Sequence, residues 1–225
     1  MYVAGKSSSC CHTPAGSGRR TIFTTPLWWT AVSCILLCLF GQLPGCWSDD
    51  DEVPLPLPDP VFFKVVRPSK LAYIYKALPA RDFGSTFGHY PRPTYLVPGE
   101  PRKMCTPSEF VEAHHNMDGA TVLVERGDCS FLTKALVAQE MGAAAILIYD
   151  LDADNFSQFV DMVDDKTGRG DDVTIPVAFI VGTDGYHFSN AFVEDALLEQ
   201  IDIVMPLNIT SEPNFMGKWP PWALY

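Results

Sequence analysis

Val122–Asp150 reads VLVERGDCSFLTKALVAQEMGAAAILIYD, and three local patterns follow one another within it. Ala120–Glu125 (ATVLVE) is a short run rich in β-branched and aliphatic residues, the pattern of a strand buried on both faces. Gly127-Asp128-Cys129 interrupts it, and Ser130 is placed to cap a helix. Phe131, Leu132, Ala135, Leu136, Ala138 and Met141 then recur at helical spacing, and Gly142 supplies the stop. Ala143–Tyr149 (AAAILIY) follows at once as a second buried strand. Strand, helix and strand joined by short turns make a βαβ unit, expected to be parallel with a right-handed crossover.

Outward from this unit the pattern continues more loosely. Upstream, Val61–Val66 and Leu71–Tyr75 are short apolar runs on either side of Arg67-Pro68-Ser69 and are expected to pair as strands. Pro79–Glu109 is dense in Pro and Gly, with only Thr94–Val97 strand-like. Downstream, Asn155–Thr174 is an acidic, Gly-containing excursion. Ile175–Val181 reads as a strand, Thr183 or Asp184 is placed to cap a second helix through Glu199, and Ile201–Met205 is a further strand. The tail, Lys218–Tyr225, carries three large aromatics without periodicity and either folds back on the domain or stays mobile.

Charge divides the chain. The net charge is −11, and every acidic residue lies after position 48, whereas Lys6, Arg19 and Arg20 lie before it. A pI near 4.7 argues against nucleic acid, whose binding needs concentrated Lys and Arg. The cationic residues 1–26, the apolar run Leu27–Phe40 and the small residues up to Ser48 form the pattern of a secretory signal peptide cleaved near 45–48. The alternative is an uncleaved anchor, but fourteen apolar residues rise only about 21 Å as a helix, short of the roughly 30 Å hydrocarbon core. Residues 49–60 (DDDEVPLPLPDP) form an acidic, Pro-rich linker. Of seven cysteines, five belong to the leader. Cys105 and Cys129 remain, and in an oxidising compartment one disulfide is expected, the alternative being two buried thiols. Asn155-Phe156-Ser157 and Asn208-Ile209-Thr210 are sequons, so Asn155 and Asn208 are expected to carry N-glycans once the chain is secreted.

No catalytic constellation emerges. The sequence has neither a Gly-x-Ser-x-Gly elbow nor a His-Glu-x-x-His helix, and His114-His115 is an adjacent pair rather than an i, i+4 pair. His89 stands alone among Gly and Pro, and His187 is expected on the polar side of the second helix. Asp150, Asp152 and Asp154 are spaced like the first positions of a calcium loop. Asn155 stands where that loop needs Gly and Asp161 where it needs a bidentate Glu, so a solvated acidic loop is the expectation and no metal or cofactor is assigned. Phe83, Phe87 and Tyr90, in the loop DFGSTFGHY, are candidate binding anchors; the alternative is that they plug one end of the domain.

The segment Val122–Asp150, with its Arg-Gly-x-Cys-x-Phe turn, Lys134, Ala138-Gln139 and Gly142-Ala143, resembles the core signature of the protease-associated domain family. The similarity continues through Ile175-Pro176-Val177 and Gly185 to Ile201–Val204. The resemblance implies a single α/β (α+β) domain: an open β-barrel of mixed strands flanked by two main helices. That domain would span 61–206 with an N-terminal strand extension, followed by a tail at 207–225. It also implies a non-catalytic module that binds a protein or peptide partner. Combined with the leader, the expectation is a secreted glycoprotein without stable membrane insertion. A luminal or membrane-anchored sorting adaptor and a hydrolase with an unrecognised site are the alternatives. Arg126 is expected to hold a carboxylate or carbonyls at its turn rather than a ligand.

Overall fold

The computed structural model describes residues 57–88, 92–106, 115–195, 197–213 and 217–224. The leader, Tyr90 and His114 lie outside them. Among the described residues the domain has seven strands and two α-helices: β1 (Val61–Arg67), β2 (Ile74–Pro79), β3 (Arg92–Pro98), β4 (Thr121–Glu125), α1 (Phe131–Glu140), β5 (Ala145–Tyr149), β6 (Val177–Ile180), α2 (Gly182–Glu194) and β7 (Ile201–Met205). The strands are ordered β1-β2-β6-β5-β4-β3-β7. The sheet mixes both senses, since β3, β4, β5 and β6 run parallel to one another while β1, β2 and β7 join antiparallel.

The mixed barrel and its two helices agree with the expectation, but the barrel is closed, not open. The closing strand is β7, which pairs with β3 over Leu96↔Ile201 to Arg92↔Met205 and with β1 through Lys64↔Val204 and Val65↔Ile203. A short strand read one at a time carries no sign of having two partners.

The βαβ unit forms as its residues dictate. Ser130 accepts the Thr133 N–H at 3.1 Å and so caps α1. Gly142 turns the chain at φ +87°, where a Cβ would meet the Asp118 carboxylate. β4 and β5 then pair in parallel from Thr121↔Ala145 to Glu125↔Tyr149. Alternate residues of these strands face opposite ways. Val122, Val124, Ile146, Ile148 and Phe179 pack with Leu132, Ala135 and Leu136 of α1. Leu123, Leu147, Tyr149 and Ala178 pack with Phe188 and Ala191 of α2 and with residues of β1, β2 and β7.

The bounds of β2 and α2 differ most from the sequence reading. The second strand begins at Ile74, because Ser69–Leu71 form a 3-10 turn after Pro68 and the Tyr75 hydroxyl donates to the Leu71 carbonyl at 3.0 Å. Helix α2 starts at Gly182 behind Val181, with no side-chain cap, and stops at Glu194 rather than Glu199. Its end is set by Asp195, whose carboxylate accepts the Leu197 N–H at 3.1 Å while its carbonyl accepts the Leu198 N–H at 2.9 Å, which turns the chain. The described part of the tail, residues 217–224, folds back on the domain. Trp219 meets Phe62 edge-on at 6.0 Å, Trp222 meets Tyr73 at 5.7 Å, and the Lys218 carbonyl accepts the Ile74 N–H at 2.8 Å.

Candidate partner-binding cleft at the barrel mouth

One end of the barrel is formed where β3, β4, β5 and β6 begin and β7 ends. Between these strand ends and the loop before β3 lies a cleft of about 460 Å³, lined by Phe87, Arg92, Thr94, Thr121, Pro176 and Met205 among others. The loop reaches it through a glycine. Gly84 sits at φ +80°, and a Cβ there would stand 3.1 Å from the Ile175 carbonyl. The turn sends Phe83 inward and leaves Phe87 at the mouth. Upstream, the loop is pinned by the guanidinium of Arg81, which grips the Asp161 carboxylate through Nε at 2.9 and 3.2 Å and through Nη2. The Asp82 carboxylate accepts the Asp164 N–H at 2.7 Å.

The predicted anchors therefore separate. Phe83 is 6% exposed and belongs to the core around α1, so it is a packing residue and not a surface anchor; the turn at Gly84 buries its ring. Phe87 is half-buried and borders the cleft, beside an exposed Arg92. Tyr90 lies outside the described residues.

At the opposite end the turn motif performs the role expected of it. Arg126 Nη1 lies 3.5 Å from Asp150 Oδ2, tying the end of β4 to the end of β5. Cys105 and Cys129 are bonded, with Cα atoms 5.7 Å apart. The Tyr149 hydroxyl donates to Glu125 at 3.0 Å, and burial pushes its pKa up to about 12. His115 Nδ1 lies 2.8 Å from Glu100 Oε1 and shares a small cleft of about 140 Å³ with Ser189.

The acidic loop is engaged internally. Asp150 meets Arg126 and receives the Asn155 amide at 3.2 Å, while Asp152 accepts the Asp154 N–H at 3.0 Å. Among the described residues no three His, Cys, Asp or Glu side chains converge to hold a metal. Asn155 is half-buried, its amide also donating to the Gln158 carbonyl at 2.9 Å; Asn208 is exposed and accepts from Thr210 N and Oγ1 at 3.1 and 2.6 Å.

Three residues escaped the sequence reading. Asp184, considered as a cap, lies inside the first turn of α2, is 6% exposed and accepts the Trp222 indole N–H at 2.8 Å. Burial pushes its pKa up to about 6. His187 is not on a solvated face: its ring stacks on that of Trp222 at 3.8 Å, and burial pulls its pKa down. Lys134 is fully buried on α1. For Lys134 a signal existed, since Phe131, Ala138 and Met141 stand at i−3, i+4 and i+7 from it and place it on the apolar stripe. For Asp184 and His187 there was none, because their partner arrives from a tail without periodicity.

The PA domain model matches residues 94–188, within this closed mixed barrel, and the chain belongs to this family. Its particular likeness is to PRADC1-like protein of Drosophila melanogaster, 32% identical over 164 residues that cover 72% of this chain and 81% of that one. E3 ubiquitin-protein ligase ZNRF4 of Homo sapiens is 30% identical over 127 residues, 56% of this chain but 26% of that protein. Among solved structures, the zinc aminopeptidase BSAP from Bacillus subtilis aligns with a TM-score of 0.46 at 19% identity, covering 67% of this chain and 30% of that one. An aminopeptidase from Aneurinibacillus sp. strain AM-1 gives 0.44 at 18% identity, covering 66% and 30%. No helix of the described residues is long and apolar enough to cross a membrane.

Proposed function

We propose that this PA-domain protein is a secreted, non-catalytic glycoprotein that binds a protein or peptide partner through the barrel mouth. The observation that carries this reading is the cleft at the strand ends, where a half-buried aromatic ring and an exposed guanidinium border a cavity of about 460 Å³ on a rigid frame. An aromatic edge beside a cation in a concave, pre-formed site suits recognition of an extended peptide segment, with Phe87 supplying buried area and Arg92 a charged contact. The leader and the two sequons support passage through the secretory pathway, with mature residues beginning near Asp49.

The test uses residues 49–225 produced as a glycoprotein in a secretory host. The intact mass reads the occupancy of Asn155 and Asn208. Cross-linking capture followed by saturation binding then compares the wild type with Phe87→Ala. Binding that weakens at least tenfold in a variant with an unchanged circular dichroism spectrum supports the mouth as the contact surface. Full-affinity binding in the variant excludes the mouth, and the lack of any saturable partner overturns the binding reading. Retention of the full-length chain in the pellet after alkaline carbonate extraction would replace secretion by an anchored sorting adaptor. The hydrolase reading rests on His115, Glu100 and Ser189 lining one small cleft. Cleavage of a peptide library that is lost in Ser189→Ala would establish it.

A further inference from the structure

Lys134 is a charged side chain buried completely, and what surrounds its ammonium is unusual. Nζ donates to the Lys103 carbonyl at 2.6 Å and lies 3.7 Å from the Cys105 sulfur of the Cys105–Cys129 bond. None of the ion pairs among the described residues includes it. The two carboxylates that act on it electrostatically, Asp128 and Glu125, are engaged elsewhere. Asp128 contacts Lys103 at 2.8 Å, and Glu125 accepts from Tyr149 at 3.0 Å and faces Arg102 at 3.4 Å. A buried ammonium whose direct contacts among the described residues are a carbonyl and a neutral sulfur bears a desolvation cost that these engaged carboxylates offset only in part. Consistent with this, burial pulls the Lys134 pKa down to about 8. Opening the disulfide would create the missing counter-ion at the spot the ammonium faces.

We propose that Cys105–Cys129 is a site of thiol–disulfide exchange with a dithiol reductant, at which Lys134 receives Cys105 as the leaving thiolate. The thiolate of the reductant attacks Sγ of Cys129, forming a mixed disulfide, and the electron pair of the broken S–S bond departs on Cys105 Sγ beside the ammonium. The better-stabilised thiolate leaves faster, which fixes Cys129 as the sulfur attacked. The second thiol of the reductant then displaces Cys129, passing its proton to it and closing the oxidised reductant into its own disulfide. Two electrons move from the dithiol to the protein. The Lys103 and Gly127 carbonyls, 3.6 and 3.9 Å from Cys105 Sγ, favour a protonated thiol. Each is a neutral dipole, whereas the ammonium is a full charge screened from water, so the thiolate prevails. Both cysteines are only half-buried, which leaves the bond open to attack.

The full chain, oxidised and then equilibrated in reduced and oxidised dithiothreitol buffers, tests this when the two redox forms are counted by alkylation and mass. Lys134→Gln is expected to shift the equilibrium toward the disulfide by at least tenfold, and Lys134→Arg to restore most of the wild-type value. The decisive readout is the pH profile of Cys105 alkylation in the reduced protein. Its midpoint is expected well below the ordinary thiol value of about 8.5, and to rise toward it in Lys134→Gln. Should Lys134→Gln fail to fold, Cys129→Ser leaves Cys105 as a free thiol beside Lys134, and the same profile applies. A Cys105 midpoint at or above the ordinary value in folded protein overturns the proposal. So do equal reduction equilibria in wild type and Lys134→Gln, or loss of the fold on reduction.

Discussion

Phe83 and Phe87 stand four positions apart on one loop and do different work. Phe83 fills space against the strands beneath α1, so Phe83→Ala leaves a cavity and is expected to cost about 3 kcal/mol, read as a lower urea midpoint at unchanged slope. Phe87→Ala is expected to cost less than 1 kcal/mol in the same titration. At Asp184 the expected effect depends on pH. Folding raises this carboxyl from an ordinary value of about 3.9 to about 6. Its contribution is therefore fully present below about pH 4 and is lost as pH rises through 6. Compared with Asp184→Asn, which keeps an acceptor for the Trp222 indole, the wild type should lose up to about 3 kcal/mol of relative stability between pH 4 and 7. His187, held below its ordinary pKa, acts with the opposite sign, but it and the other titrating groups are common to both proteins. The difference between the two denaturation series therefore isolates the carboxyl. A flat difference would show that Asp184 is no more desolvated than a surface carboxylate.

The helices show how much of each element was written in the sequence. α1 was legible from cap to stop because Ser130, the apolar stripe and Gly142 are local signals that tertiary packing does not override. α2 was half legible. Thr183 and Asp184 marked a helix as capping candidates, but its start lay at a glycine whose purpose is a close approach rather than a cap. A Cβ on Gly182 would lie 1.8 Å from the Asp152 carbonyl oxygen, and one on Gly185 would lie 2.3 Å from the Tyr149 side chain. Backbone contact with the end of β5 is thus built into the first turn of α2. Gly185→Ala is expected to destabilise the domain by more than 3 kcal/mol or to abolish secretion, although alanine is the better helix former. An unchanged midpoint would mean that α2 can retreat from β5 freely. At the cleft, the loop that carries Phe87 was legible as a candidate contact, whereas which of its aromatics faces outward depended on one glycine in the left-handed region and could not be read from hydrophobicity alone. The strap of residues 217–224 was the least legible element, because its anchors, Tyr73, Ile74 and Asp184, are scattered through the chain.

Across the whole molecule, closure joins the sequence ends of the domain, since β1 and β7 pair directly. The order of strands therefore leaves no half of the ring that could fold without the other. Thermal unfolding of residues 49–225 is expected as one transition, with far-UV circular dichroism and tryptophan fluorescence coincident. Trp219 and Trp222 report the strap, so an earlier fluorescence midpoint would mean that the strap leaves before the barrel opens. Closure also restricts how the domain can be recognised. Each of the seven strands already has a hydrogen-bonded neighbour on both sides, so among the described residues the barrel offers no bare edge onto which a visiting peptide could add itself as an eighth strand. The partner proposed for the mouth would then have to be selected by side chains at the rim, where single substitutions change affinity sharply. The same missing edge denies other copies of the barrel a template for stacking strand on strand.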